Sequence, residues 1–360
     1  VEDKMKKIKL LMVVGTFDRN GGKVSKTMNT LFSQFTTSDL VESLDFHNGG
    51  NVSEIPELLE STKNFNVVLW FPKVDNAEEK MRNVKEFNPK CILVSSKVNN
   101  GRYSFMELIK RGLDLKANLT LELNTLETPF SMMLMDPLGN FFYKGSDFAE
   151  LGRVMISRIH FLLNITRQET IQNGPEKEIP NEEDFFNFIR KSSITFHMLI
   201  NPAPTTRFLG NASFRCESGF PSFRKDDIIY VSKRNVDKMF IDQTGFVATQ
   251  FGLENQIFYY GDHKPSVDTP IQLALYKQLP NIKYMLHSHV YIKGAKFTDE
   301  SVPCGSLEEI QKVLNAIEDK NTEFEAINLI GHGCMILSSD VKKMEEVVFI
   351  ARPVPEEIKI

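Results

Sequence analysis

The chain has 360 residues, of which 41% are hydrophobic, and a formal net charge of -4 with both signs mixed along it. That balance leaves no basic footprint for nucleic acid, and no apolar run approaches the roughly 20 residues a membrane helix needs, so neither partner is expected. At ~150 residues per domain, the length predicts about two domains.

The opening KMKKIKLLMVV has the charge-then-apolar order of a signal peptide but no small-residue cleavage site follows. It reads better as the lead-in to a first strand, Ile8 to Val14, and the expected location is cytoplasmic. A loop at Gly15 to Asn20 and a helical pattern from about Lys23 to Phe35 come next. Short apolar runs at Val67 to Phe71, Cys91 to Ser95 and Leu119 to Leu123 predict further strands, separated by helices near Ala77 to Glu86 and Ser104 to Gly112. A hairpin over Phe130 to Lys144, turning at Asp136-Pro137-Leu138-Gly139, and a helix from about Phe148 to Leu163 close this half. Alternating strand and helix argue for a parallel, Rossmann-like or flavodoxin-like sheet over residues 1–165.

Ligands of such sheets bind at the carboxyl ends of the strands. Gly15, Thr16, Gly21, Gly22, Lys23 and Ser25 follow the first strand, and Ser95, Ser96 and Lys97 follow a later one. Glycines, hydroxyls and lysines suit a nucleotide or phosphometabolite. The wording GTFDRNGGKVS matches neither common phosphate-loop pattern, and polar glycine-rich loops after strands are ordinary.

Residues 166–182, polar and charged around Gly174, Pro175 and Pro180, read as a linker to a second domain over 183–360. That domain opens with an amphipathic helix, Phe185 to Ile200. Further on, HKPSVDTPIQLALYKQL from His263 to Leu279 is a Pro-Ser turn entering a helix with Thr-Pro at its first positions. Asp268 stands at that helix N-terminus, either as a cap or as a reactive carboxylate, and the Ser266 hydroxyl can donate to phosphate.

Tyr284 to Ile292 (YMLHSHVYI) is a strand-like run in which His287 and His289 share a face, and Ala326 to Leu337 (AINLIGHGCMIL) is a second with His332 between two glycines. Two imidazoles at i and i+2 and a third from another strand make a facial set of metal ligands, suited to a catalytic divalent ion. Cys91, Cys216, Cys304 and Cys334 stand singly without metal-site spacing and read as reduced, buried thiols.

In this setting the second half resembles the class II aldolase/adducin family, which includes L-fuculose-1-phosphate aldolase and L-ribulose-5-phosphate 4-epimerase. The resemblance runs in order through Gly210-Asn211-Ala212-Ser213, Ile228 to Ser232, Lys264-Pro265-Ser266-Val267-Asp268-Thr269-Pro270, His287-Ser288-His289, Val302-Pro303-Cys304 and His332-Gly333. It covers roughly Asn181 to the C-terminus. It implies an α/β/α sandwich with a mainly antiparallel sheet, commonly assembled as a homotetramer. His287, His289 and His332 would hold Zn²⁺ or another divalent metal, Asp268 would be the acid/base, and Gly210, Asn211, Ser232 and Ser266 would bind the phosphate. The implied activity is aldol cleavage or epimerisation of a phosphorylated sugar through a metal-stabilised enediolate; the alternative is an adducin-like assembly or regulatory protein that keeps only the fold. Three departures stand out. Val267 replaces a second serine, Lys233 stands where glycine is usual, and the stretch from His289 to Pro303 is short, with Asp299 and Glu300 its only carboxylates.

Overall fold

The computed structural model describes residues 5–14, 26–48, 60, 62–71, 77–200, 208–216, 227–252 and 256–359. The chain divides into two compact units, Val1–Asn164 with Val354–Ile360, and Ile165–Pro353. The proposed ligand loop at Gly15, Thr16, Gly21, Gly22 and Lys23 lies outside the described residues.

In the first unit, strands β1 (Ile8–Val14), β2 (Val41–Asn48), β3 (Val67–Phe71), β4 (Ile92–Asn99) and β5 (Leu119–Asn124) are all parallel, and β6 (Ser131–Met135) and β7 (Asn140–Gly145) add an antiparallel hairpin. The order is β7-β6-β5-β4-β3-β1-β2, with a two-residue strand at Glu356–Glu357 beside β7. Strand order 2-1-3-4-5 is the doubly wound, flavodoxin-like arrangement, with its reversal between β1 and β3. Helices α1 (Lys26–Thr37), α2 (Ala77–Phe87), α3 (Phe105–Asp114) and α4 (Phe148–Asn164) accompany it. Central strands with apolar residues on both faces are what a parallel sheet covered on both sides requires: Leu11, Val13, Val68, Trp70 and Leu93 pack with Val84, Leu115 and Ala117 on one face, while Leu10, Met12, Val67 and Leu69 are as deeply buried on the other.

Local chemistry sets the boundaries. Ser104 accepts from the Glu107 amide while the Glu107 carboxylate accepts from the Ser104 amide at 2.7 Å, a reciprocal cap that starts α3. Asp136 turns the β6–β7 hairpin by accepting from the amides of Leu138 and Asn140. One strand escaped the sequence reading: β2, VESLDFHN, lies at the sheet edge with β1 as its only strand neighbour among the described residues, so its side chains are largely solvated and leave no apolar run. Ser95 and Ser96, considered as ligand contacts, are engaged inside the unit instead. Ser95 Oγ lies 3.1 Å from Thr120 Oγ1, and Ser96 donates to the Trp70 carbonyl at 2.6 Å.

The second unit starts earlier than the helix predicted to open it. Within the stretch read as a linker, β8 (Thr170–Gln172) pairs with β12 (Ile257–Tyr259), an edge strand too short and polar to announce itself. The sheet continues with β9 (Asn211–Phe214), β10 (Ile229–Ser232), β11 (Phe246–Phe251), β13 (Tyr284–Ser288), β15 (Lys296–Phe297), β16 (Phe324–Leu329) and β17 (Gly333–Ser338), in the order β15-β16-β17-β13-β9-β10-β11-β12-β8. It is antiparallel except at its two ends. A separate two-stranded ribbon joins β14 (Tyr291–Ile292) to β18 (Phe349–Ile350).

Alternation along the strands builds a layer on each face. Phe214, Tyr230, Phe246, Leu286 and Ile336 pack with Phe185, Phe186 and Ile189 of α5 (Glu183–Leu199) and with Val341 and Met344 of α8 (Val341–Met344). Val231, Met285, Ile327, Met335 and Leu337 face the other way, onto Ile271, Leu275 and Tyr276 of α6 (Thr269–Gln278) and Val313 of α7 (Glu308–Ala316). Full burial of each such side chain contributes ~1.5–3 kcal/mol, so the two helical layers hold the sheet between them as an α/β/α sandwich.

Two expected strands are shorter than predicted, and both differences bear on the histidines. Tyr284 to Ile292 is not one strand: β13 ends at Ser288 and the chain bends at His289. Ala326 to Leu337 is a hairpin of β16 and β17 with His332 in its turn, because Gly331 adopts φ +71° and reverses the chain. A Cβ on Gly333 would sit 1.9 Å from the Ser288 carbonyl oxygen, and one on Gly210 would sit 2.3 Å from the His287 carbonyl oxygen. Both obstacles are backbone, which no rotamer change relieves. Gly333→Ala is therefore expected to cost at least about 3 kcal/mol, the upper end of the range for overpacking, measured as a shift in the urea unfolding midpoint; a cost below 1 kcal/mol on that scale would mean that the close approach is not required.

Candidate metal centre

His287 is the penultimate residue of β13, placed in register with Met335 of β17 on one side and Asn211 of β9 on the other. It shares the face of Met285, as strand alternation requires. His289 reaches the same region from the bend after β13, and His332 from the turn between β16 and β17. The ligand atoms of these three residues all lie within 4.8 Å of one another. Ring centroids are 5.3 Å apart for His287 and His289, 4.7 Å for His287 and His332, and 4.9 Å for His289 and His332. His287 and His332 are buried and His289 is partly exposed.

The partners of the rings decide which nitrogens face inward. His287 Nδ1 is 2.9 Å from the Cys334 carbonyl oxygen, which can only accept, so Nδ1 carries the hydrogen and Nε2 keeps its lone pair. His332 Nδ1 lies 3.0 Å from Glu309 Oε2, and its Nε2 lies 2.9 Å from Cys304 Sγ. A carboxylate behind a metal-ligating imidazole fixes the ring and raises its basicity. Glu309 supplies that group from the first turn of α7, and it is 3% exposed.

Desolvation governs the charges. Burial pushes the His287 and His289 imidazoles below the usual histidine range; the neighbouring His332 lowers both further, while the Asp268 and Glu309 carboxylates oppose the shift at His287. Burial likewise raises the Asp268 carboxyl and pushes Glu309 up to about 7, with His287 opposing in each case. Neutral imidazoles are the form that binds a divalent ion.

Asp268 precedes α6 but does not cap it with its side chain. Instead its Oδ2 accepts from Asn211 Nδ2 at 2.6 Å, and Asn211 Oδ1 accepts in turn from Gln272. The Gly305 amide lies near enough to lower the Asp268 pKa somewhat, yet buried Oδ1 has no hydrogen-bond partner of good geometry among the described residues, and neither has Ser288 Oγ. The buried Asp268 oxygen left open in this way, close enough to His287 and His332 to feel their charges, fits a cation held among the three imidazole nitrogens.

The predicted phosphate residues adjoin the same end of the sheet. Gly210, with φ +78°, abuts the His287 backbone. Ser232 Oγ accepts from the Ala212 amide at 3.1 Å, the Ser266 amide donates to the Ser232 carbonyl at 3.1 Å, and Ser266 Oγ accepts from the Asp268 amide at 3.3 Å. Asn211 departs from the expectation in its side chain, which is committed to Asp268 and Gln272. Lys233 reaches Glu176 at 3.5 Å, and Asp299 and Glu300 both pair with Lys312, at 3.1 and 2.8 Å. The cysteines divide: Cys91 and Cys334 are buried as expected, but Cys216 is exposed and Cys304 is partly exposed at the site.

Two neighbours were missed in the sequence. Glu309 lies four residues before buried Val313, and an acid within the apolar stripe of α7 was the available signal. Lys238, 5% exposed, donates to the Phe208 and Val236 carbonyls at 3.3 and 3.2 Å, and its charge is felt at His289. Its position beside the site follows from tertiary packing and left no pattern.

Residues 195–292 match the family model described as Class II Aldolase and Adducin N-terminal domain. Among curated proteins there is no match. Among solved structures, the DNA/Pantothenate Metabolism Flavoprotein from Streptococcus pneumoniae is 12% identical, with a TM-score of 0.34, over 42% of this chain and 98% of its own. The N-terminal Class II Aldolase domain of a conserved protein from Thermoplasma acidophilum is 16% identical, with a TM-score of 0.31, over 49% of this chain and 89% of its own. An aldolase II superfamily protein from Pseudomonas syringae is 11% identical, with a TM-score of 0.32, over 44% of this chain and 66% of its own.

Two measurements follow from this geometry. Glu309→Gln should weaken divalent-metal affinity about 10–100-fold without abolishing binding, read by competition with a chromogenic chelator, and an unchanged affinity would remove Glu309 from the site. Burial lowers the Lys238 ammonium to about 8 from 10.5. The unfolded chain therefore binds more protons than the folded one between those values, and stability should rise with pH across the window, by up to about 1.4 kcal/mol per unit. Lys238→Met should flatten that rise in urea unfolding at successive pH values. Within the second unit, residues 195–292, which carry His287 and His289, are similar to the class II aldolase and adducin domain.

Proposed function

We propose that the second unit is a divalent-metal-dependent lyase or epimerase acting on a phosphorylated sugar. The observation that carries this reading is the desolvated cluster of three imidazoles with the Asp268 carboxyl beside it. His287, His289 and His332 would hold the ion, Zn²⁺ or a similar one, whose Lewis acidity offsets negative charge developing on a substrate oxygen.

The protein's own groups divide the remaining work. Asp268 is the acid/base: Asn211 fixes one carboxylate oxygen and leaves Oδ1 to take or return a proton. Burial raises its pKa, the direction that lets the carboxyl hold a proton more readily. Asn211 is a positioning residue in this scheme. Phosphate recognition falls on Gly210, Ser232 and Ser266, since each serine oxygen accepts an amide hydrogen and keeps its own O–H to donate. Buried imidazoles and a buried carboxyl maintained together are costly for a protein with only a structural role, and this weighs against an assembly function that keeps only the fold.

The reading is tested by assaying ketose and aldose phosphates for cleavage or epimerisation with metal-loaded protein, chelated protein and an Asp268→Asn variant. Chelation should abolish turnover and added Zn²⁺ restore it, and Asp268→Asn should lower kcat about 10²–10⁴-fold with metal content unchanged. Turnover that survives chelation, or an Asp268→Asn variant as active as the parent, would overturn it.

A further inference from the structure

The segment from Cys304 to Glu309 grips His332 at both ring nitrogens. Glu309 takes Nδ1 at 3.0 Å, and Cys304 Sγ sits 2.9 Å from Nε2, the nitrogen left to bind an ion. Cys304 thus occupies the direction from which a metal would approach that lone pair. Its surroundings differ from those of an ordinary core thiol: it is partly exposed, the loop that carries it is closed by a Ser306 amide to Pro303 carbonyl bond of 3.2 Å, and the next residue, Gly305, adjoins Asp268.

We infer that Cys304 is a fourth protein ligand of the ion held by His287, His289 and His332. The inference rests on the reading that those imidazoles bind a divalent metal. With metal–nitrogen bonds of about 2.0–2.1 Å and metal–sulfur bonds of about 2.3 Å, two donors on one tetrahedral ion stand roughly 3.6 Å apart, so the sulfur at 2.9 Å from His332 Nε2 is within about 1 Å of the separation that shared coordination with His332 requires. The bond formed is metal to thiolate; the thiol hydrogen, directed at Nε2 before binding, leaves to solvent as a proton. Asp268 is the competing fourth donor; its Oδ2 is held by Asn211, whereas the Cys304 sulfur already touches a ligand nitrogen. A thiolate in the set makes the site a borderline-soft one, selective for Zn²⁺ or Co²⁺ over Mg²⁺ and Mn²⁺.

Co²⁺ serves as the probe, added to the chelated full chain and followed by optical absorption. Visible d–d bands report any bound Co²⁺, and a near-ultraviolet charge-transfer band reports a thiolate ligand. Both should rise together to saturation in the parent protein and in Cys216→Ser, while Cys304→Ser should keep the visible bands and lose the charge-transfer band. Visible bands without charge transfer in the parent would overturn the inference and leave the three-histidine reading intact. A charge-transfer band that persists in Cys304→Ser would assign the thiolate to another cysteine and also overturn it. No Co²⁺ bands at all would overturn the inference together with the reading beneath it.

Discussion

Strand β13 ends between two pieces of backbone that carry no side chain. Gly210 lies against the His287 carbonyl on one side and Gly333 against the Ser288 carbonyl on the other, both closer than any Cβ would allow. Everything chemical in the second unit hangs on this squeeze. It brings the Gly210-Asn211 segment, the His287–His289 segment and the His332 turn to one point at the end of a sheet whose two faces are clamped by helices. The imidazoles are therefore held by rigid strands and their immediate turns, which is the arrangement that keeps a metal site in one geometry.

Burial then sets the chemistry of the groups brought together. Three imidazoles in such proximity cannot all be charged, and desolvation together with mutual repulsion keeps His287 and His289 neutral. The same desolvation raises the Asp268 carboxyl and pushes Glu309 up to about 7, so burial opposes ionisation at both carboxyls. A divalent ion reverses that logic, since its charge favours ionised carboxylates and neutral ring nitrogens alike.

Much of this was legible in the sequence because it is local. The strands β1, β3, β4 and β5 announce themselves as apolar runs, the β6–β7 turn by Asp136 to Gly139, and the start of α6 by Thr269-Pro270. His287 and His289 stand out by their spacing, and His332 by its flanking glycines. What was not legible depends on neighbours distant in sequence. Edge strands β2 and β8 bury too little to leave a pattern, and the hairpin of β16 and β17 reads as one strand because both arms are apolar and only the φ of Gly331 separates them. Asn211 reads as a phosphate contact until β9 is seen beside β13 and α6, where its amide bridges Asp268 and Gln272. Glu309 and Cys304 acquire roles only because the loop before α7 folds onto the β16–β17 turn.

The function proposed for the second unit depends on whether the three imidazoles bind an ion, and the direct measurement is metal content per chain by elemental analysis. The protein incubated with Zn²⁺ and freed of excess should carry about one ion per chain, and the doubly substituted His287→Ala, His289→Ala protein none, as expected when two of three ligands are removed. Equal metal content in the two, or none in either at a folded circular dichroism spectrum, would contradict it.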